Sequence, residues 1–376
     1  MRDDIHIVAA LELALEPFRG SKAEDALVAL ADYVEQTDQP LAGGRTNADM
    51  EKAAEPVHGA GRLNGWIILD KPLGLGSTQA VSAVKRALRE AGAPKTKVGH
   101  GGTLDPLASG VLPIAIGEAT KLCGRMLDAT KTYEFTIRFG EQTDTLDAEG
   151  EIVATSDVRP TLGQIEAVLT SFTGEIEQVP PAYSALKIGG KAAYERARAG
   201  ETLEMKPRTV TVHGLTLLPA GVAGGAATSP SLRDREELPE ITLAATVSKG
   251  TYVRGLARDI ARALNTVGHV TMLRRTRAGP FDLESAISLD FLEEAAKARR
   301  LTETVLPLEA ALDDIPALPV TPDQAQLLRH GQRLSGIPAK PGLNLATEGG
   351  RPIALVEATA DGLRVVRGFN LWKRQE

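Results

Sequence analysis

The sequence predicts an α+β chain with an acidic N-terminal extension and a small β-rich C-terminal domain. Three observations point there. Alternating stretches such as Thr132 to Phe139 stand beside stretches of helical spacing such as Leu162 to Phe172. From Leu318 onward, short apolar segments alternate with Gly-Pro-rich turns, a pattern of short strands. Residues 1–61 hold 12 Asp and Glu against 5 Lys and Arg, so they carry −7 of a chain whose net charge is −6.

Residues 62–376 therefore stand near neutrality, at +1. A near-neutral body still binds RNA when its basic side chains share one face. A chain of 376 residues suits two or three domains and buries ample core. No apolar run approaches the roughly 18 residues of a membrane span, and no basic start leads into an apolar secretory core. One cysteine, Cys123, excludes an internal disulfide and a thiolate zinc cluster. It predicts a reducing, cytoplasmic setting. The six histidines form no His-x-x-x-His pair, so no metal site is expected.

The elements follow in order. Ile5 to Val34 has helical spacing, and Gln36 to Gly61 reads as linker. The segment is either an acidic appendage or a helix pair that binds a partner. Gly65 to Pro72 is a buried strand ending in a charged turn, and Pro72-Leu-Gly-Leu-Gly76 leads into a helix capped by Ser77. Val81, Val84, Leu88 and Ala91 mark that helix's inner face. Val111 to Ile116 is a buried strand, and Glu118-Ala-Thr-Lys-Leu reads as a helix start. In Thr132 to Phe139, Tyr133, Phe135, Ile137 and Phe139 share one face. Thr161 and Gln164 form a capping box for a helix that Gly174 ends. Two more strands run through Val210 to Leu217 and Ile241 to Val247, separated by a low-complexity surface loop at 219–239. Arg254, Arg258 and Arg262, four apart, form a helical stripe of the kind usually solvated. His269 to Thr276 is a strand.

One stretch organises the rest: Gly99-His-Gly-Gly-Thr-Leu-Asp-Pro-Leu-Ala-Ser-Gly-Val-Leu-Pro-Ile-Ala-Ile-Gly-Glu-Ala-Thr-Lys121. Its glycines allow close approach of another molecule. Pro106 restricts the geometry of Asp105 before it. The string strongly resembles the catalytic loop of the bacterial pseudouridine synthases that act on the tRNA T-loop, the TruB family. Two further stretches carry the same resemblance: Lys131-Thr-Tyr-Glu, and Ser248-Lys-Gly-Thr-Tyr-Val-Arg-Gly-Leu-Ala-Arg-Asp259. It runs from about residue 64 to 376. Gly101 departs from it, standing where many members carry Thr; altered loop flexibility is the expectation.

The resemblance implies a mixed, largely antiparallel central sheet flanked by helices. It implies a catalytic domain over 62–316 with an RNA-gripping insertion at about 179–200. It also implies a PUA-like accessory RNA-binding domain over 317–376. Asp105 falls on the family's nucleophile. Arg254 falls on the arginine paired with the active-site carboxylates, and Asp147 orients an arginine beside the substrate. Tyr133 by itself is a core aromatic or a stacking ring; the family favours a ring against the target base that takes part in proton transfer. His100 lies where it fills the space a flipped base leaves, and Tyr252 and Leu273 wall the pocket. Lys71 is a solvated strand end or, by the family, a group near the site. Lys187, with Lys191, Arg196, Arg198, Tyr183 and Tyr194, suits unpaired RNA, where bases stack and phosphates need cations.

The expected activity is cofactor-free isomerisation of uridine-55 in tRNA, performed by a monomer with no obligatory protein partner. Two rivals are a guide-RNA-type synthase that works with protein partners, and a tRNA-binding factor without catalysis.

Overall fold

The computed structural model describes residues 63–218 and 236–371. The expectations for residues 1–61 and for most of the 219–239 loop lie outside the described residues. The first strand is Gly65–Lys71 (β1), whose Trp66, Ile67, Ile68 and Leu69 are all buried. An unbroken apolar run of this length fits a strand covered on both faces. Ser77–Glu90 (α1) follows. Ser77 is the helix's first residue rather than its cap. Its hydroxyl is used elsewhere, donating to the Leu104 carbonyl and accepting from the Leu104 N–H, each at 2.8 Å.

Val98–His100 (β2) and Ala108–Ile116 (β3) flank the glycine-rich loop. The helix expected at Glu118 is a 3-10 turn, Gly117–Leu122, before Cys123–Asp128 (α2). Asn64 Oδ1 accepts the Glu118 N–H, and Thr120 Oγ1 donates to the Gly117 carbonyl, which tightens that turn. Next come Lys131–Phe139 (β4) and the hairpin of Glu141–Thr143 (β5) with Ile152–Thr155 (β6). Leu162–Leu169 (α3) starts at the expected capping box. Gly174–Gln178 (β7) leads to the insertion: Lys187–Ile188 (β8), Lys191–Ala192 (β9) and Ala193–Arg198 (α4). The body closes with Arg208–Leu217 (β10), Glu240–Val247 (β11), Val253–Ala263 (α5), Gly268–Ala278 (β12), Phe281–Asp282 (β13) and Leu289–Lys297 (α6).

The main sheet has the order β1-β3-β12-β4-β11-β10-β7, with β2 on β3 and β13 on β12. Among the described residues only β3 and β12 of this sheet pair in parallel; its other strand pairings are antiparallel. β12 thus lies between β3, which continues the glycine-rich loop, and β4. Phe135, Ile137 and Phe139 of β4 pack with Leu256 and Ile260 of α5 and Ile165 of α3. Each such buried side chain contributes about 1.5–3 kcal/mol. A second cluster joins β1 and β3 to α1 and α6. Tyr133 and Leu273 touch both clusters, so they sit at the seam.

The C-terminal sheet is Ala317–Pro319 (β14), Gly342–Glu348 (β15), Arg351–Thr359 (β16) and Gly362–Gly368 (β17), in that order. It also carries a helix, Pro322–Arg329 (α7), where only strands and turns were expected. Its signals are local: Thr321 and Gln324 form a capping box, and Pro322 opens the first turn. A cluster containing Trp66, Leu308, Leu345, Leu355 and Phe369 joins this sheet to the body.

Candidate active site

The sequence of the glycine-rich loop leaves few backbone groups free. The Gly101 N–H donates to the Pro113 carbonyl at 2.8 Å. The Leu104 amide is clamped by Ser77, as above. The Pro106 carbonyl accepts from the Gly74 N–H at 2.8 Å, and the Ala108 N–H donates back to Asp105. Arg275 holds the Gly102 and Thr103 carbonyls. The backbone is fixed on both sides of Asp105, while its side chain stays 43% exposed. Gly101 has a packing role: a Cβ there would lie 2.7 Å from Met126 Cβ, so Met126 fills the space a larger residue needs.

Asp105 Oδ2 pairs with an Arg254 terminal nitrogen at 2.8 Å. Arg254 opens α5 one residue past its start and is nearly buried. Its other terminal nitrogen reaches Asp147 Oδ2 at 3.0 Å. The carbonyls of Thr145 and Tyr183 complete the set, at 2.8 and 3.0 Å. A planar fork with five donors suits four acceptors in these directions; a lysine ammonium does not. Asp147 is positioned by the Thr145 hydroxyl at 2.5 Å and the Glu149 N–H at 3.1 Å. The residue before it, Leu146, is in the left-handed region at φ 63°, and its carbonyl accepts from the Val270 N–H. A left-handed leucine is strained backbone held by its surroundings, a feature that clusters at functional sites.

A cleft opens over these groups. It is lined by Asp105 and Leu107 of the loop, by Asp147 and Arg254, and by Val270, Met272 and Leu273 of β12. Four of the nine residues expected at the site are thus brought together: Asp105, Arg254, Asp147 and Leu273. The other five do not line it. His100 ends β2, and Gly102 N–H approaches its Nδ1 at 3.4 Å. Burial first, and the Arg275 charge second, hold its imidazole below the ordinary value of 6.5. Tyr133 lies on β4, paired with Arg275 of β12. Tyr252 caps α5; Gln178 grips both its N–H and its carbonyl, and the Arg208 guanidinium lies 5.7 Å from its ring centre. Lys187 is exposed on β8. Lys71 is wholly buried beneath the loop, donating to the carbonyls of Pro72, Leu75 and Pro106. Burial lowers its pKa to about 8, against a raising effect of nearby Asp105 and a further lowering by Arg275.

In the arginine stripe of α5, Arg254 leaves the solvated face as the family resemblance implies, but Arg258 leaves it too. Arg258 is buried like Arg254 and donates to the Val179 carbonyl at 2.9 Å, with Asp259 as its ion-pair partner. Arg254 and Arg258 thus both hold the root of the 179–200 insertion; only Arg262 is exposed. Tyr183, in the same root, donates its phenol proton to Asp144 at 2.9 Å. Sequence reasoning passed over Met272 and Arg275, and read Ser77 only as a helix cap. Arg275 left a signal: it stands two residues from Leu273, on the same face of a central strand, where a charge is unexpected.

Two family models match the chain consecutively. Residues 86–253 match the TruB family pseudouridylate synthase N-terminal domain, and residues 254–313 match the tRNA pseudouridylate synthase B C-terminal domain. Among curated proteins, the chain is 60% identical to the tRNA pseudouridine synthase B of Novosphingobium aromaticivorans, over 82% of this chain and 98% of that protein. It is 59% identical to the tRNA pseudouridine synthase B of Zymomonas mobilis, over 82% and 96%. Among solved structures, an H/ACA RNP bound to a substrate RNA containing 2'-deoxyuridine has a chain with the same fold, at a TM-score of 0.59 and 24% identity. That match covers 82% of this chain and 87% of the other. With the Asp105 loop and the Arg254 helix meeting at one cleft, the chain belongs to the TruB family of pseudouridylate synthases.

Proposed function

We propose that this chain converts uridine-55 in the T-loop of tRNA to pseudouridine, with Asp105 as the reacting carboxylate. The observation that carries the reading is one geometry: a half-exposed carboxylate, pinned through one oxygen by a buried arginine, in a cleft with apolar walls. Its relatives are named for this reaction on tRNA. The isomerisation breaks the N1–C1′ bond, turns the base and joins C5 to C1′; the C5 proton leaves and N1 gains one. Atoms balance without a cofactor.

The residues divide that work. Asp105 Oδ2 is held by Arg254, and Oδ1 has no protein hydrogen-bond partner among the described residues. The free oxygen is the nucleophile or base of the reaction. Arg254 keeps a positive charge opposite the carboxylate, and Asp147 holds that arginine in plane. Leu273 and Met272 wall the cleft and retain the loosened base. Tyr133 stacks on the base and assists proton transfer, and Tyr252 closes the side near α5. The uridine must first leave its stack, at about a few kcal/mol. His100, kept neutral by burial, fills the vacated space. Lys71 supports the loop from below, and Lys187 of the insertion contacts RNA phosphate.

Residues 62–316 form the catalytic domain in this reading. Residues 317–376 are a PUA-like accessory RNA-binding domain, supported by their own apolar cluster and by exposed Arg364 and Arg367 on β17. The protein acts as a monomer in the cytoplasm and needs no protein partner. The test is Asp105→Asn, which keeps size and removes charge. The variant should fold and bind tRNA, since phosphate contacts supply most affinity, yet form no pseudouridine in a single turnover. Turnover by folded, tRNA-bound Asp105→Asn would remove the carboxylate from the reaction. Wild-type protein that is inactive alone on a tRNA transcript would favour the guide-RNA rival.

A further inference from the structure

Three arginines of β12 stand in a row of four, and each does something different. Arg274 forms a two-pronged ion pair with Asp70, at 2.9 and 3.2 Å. Arg277 is exposed and donates to the Gly279 carbonyl. Arg275 is buried, with 1% of its surface exposed. Among the described residues it forms no ion pair. Its donors instead meet three backbone carbonyls: Val111 at 2.7 Å, Gly102 at 3.2 Å and Thr103 at 3.3 Å.

A buried guanidinium neutralised only by carbonyl dipoles is a costly occupant of a sheet interior. An apolar side chain would serve packing better. What the guanidinium adds is reach: it ties the turn two and three residues before Asp105 to the strand six residues after it. The main chain is built for that reach. Gly110 of β3 pairs with Arg275, and a Cβ at Gly110 would lie 2.2 Å from the Arg275 carbonyl. Gly110 also sits at φ 102°, which favours glycine. This close parallel register brings the Arg275 side chain under the loop.

We propose that Arg275 is a positioning residue for the reaction: its buried guanidinium fixes the loop that aims Asp105 at the substrate and at Arg254. The proposal rests on the reading that Asp105 is the reacting carboxylate. The same charge acts on the loop's other neighbours, since it opposes protonation of His100, Lys71 and Lys131.

Two substitutions test it. Arg275→Lys keeps the charge and loses the fork. Arg275→Met fills the space and removes the buried charge. Each is compared with Leu355→Ala, which opens a cavity in the C-terminal sheet, far along the chain from the loop. The measurements are a thermal melt, a tRNA Kd, and the single-turnover rate constant at saturating enzyme. In a folded Arg275 variant, Kd should stay within about twofold of wild type and the rate constant should fall at least tenfold. A control with an equal loss in Tm should keep its rate constant. A folded Arg275 variant with a rate constant within threefold of wild type would overturn the assignment. So would a matching rate loss in the control, or failure of both Arg275 variants to fold, which makes Arg275 a folding residue. Asp105→Asn is run beside them. An inactive Asp105→Asn with fast Arg275 variants refutes this inference alone; an active Asp105→Asn refutes the reading beneath it.

Discussion

Replacing Arg254 by Lys and by Ala separates its charge from its shape. The arginine meets four acceptors within 3.0 Å, two of them carboxylates and two carbonyls. Lysine has three donors on one atom, so at least one acceptor is abandoned and the plane is lost. Hydrogen bonds to charged groups contribute about 1.5–3 kcal/mol each, so Arg254→Lys should lose about 2–3 kcal/mol of stability. Asp105 should be displaced by a fraction of an ångström to about 1 Å, and a misplacement of that order costs about 10²-fold in rate. Arg254→Ala goes further. Asp147, with 12% of its side chain exposed, is left without its cation. Breaking a buried pair costs about 3–5 kcal/mol; Asp105, 43% exposed, is rehydrated and adds little. The expected loss in Tm for Arg254→Ala is about 4–8 °C. The assay pairs melts with single-turnover kinetics, and adds Asp147→Ala alone and with Arg254→Ala. The double variant should be more stable than the sum of single losses predicts, by about 1–3 kcal/mol. A rate for Arg254→Lys within threefold of wild type would refute the argument from fork geometry. Strict additivity in the cycle would show that the Arg254–Asp147 pair stores no coupling energy.

Two further outcomes follow from the buried lysines and the insertion. Lys71 and Lys131 both have folded-state pKa values of about 8, depressed chiefly by burial from 10.5. Below about pH 8 both states are protonated and the burial cost is fully present. Between about 8 and 10.5 the folded state releases protons that the unfolded state keeps, so this cost is relieved as pH rises. Wild-type stability should therefore gain on Lys71→Met by up to about 3 kcal/mol across that window; parallel pH curves for the two proteins would show that Lys71 does not titrate there. Lys187→Ala with Lys191→Ala should weaken tRNA binding and flatten the slope of log K against log salt, since fewer counterions are released. An unchanged slope assigns both lysines to solvent.

Legibility in the sequence followed periodicity and local chemistry. Phe135, Ile137 and Phe139 announced β4 because a period of two is a property of the strand itself. Thr161 and Gln164 announced α3 because a cap needs only its own turn. The identical signal in Thr321, Pro322 and Gln324 marks α7, yet the surrounding Gly-Pro-rich turns drew attention to strands. Ser77 illustrates the opposite error. It has the composition of a cap, but Leu104, 27 residues away, takes its hydroxyl in both directions. A local rule loses to a long-range partner that one sequence does not disclose.

The same reason explains why the carboxylates of the site were legible and its buried cations less so. Asp105 sits in a glycine-rich loop next to Pro106, and Asp147 in an acid-dense loop bounded by Gly140 and Gly150, so their composition already sets them apart. Arg275, Lys131 and Lys71 sit at or within strands, where a basic residue ordinarily marks a solvated face. Their role depends on carbonyls that only the folded chain supplies: Gly102, Thr103 and Val111 for Arg275, Met126, Leu127 and Ala129 for Lys131, and Pro106 among others for Lys71. A glycine-rich loop needs such donors more than other loops do. Its residues bring few side chains to fasten themselves, and glycine loses more conformational entropy on ordering than any other residue. Buried donors from β1 and β12, Lys71 on the Pro106 carbonyl and Arg275 on those of Gly102 and Thr103, therefore help to hold that backbone. The precision with which Asp105 is held is a property of the sheet beneath the loop rather than of the loop.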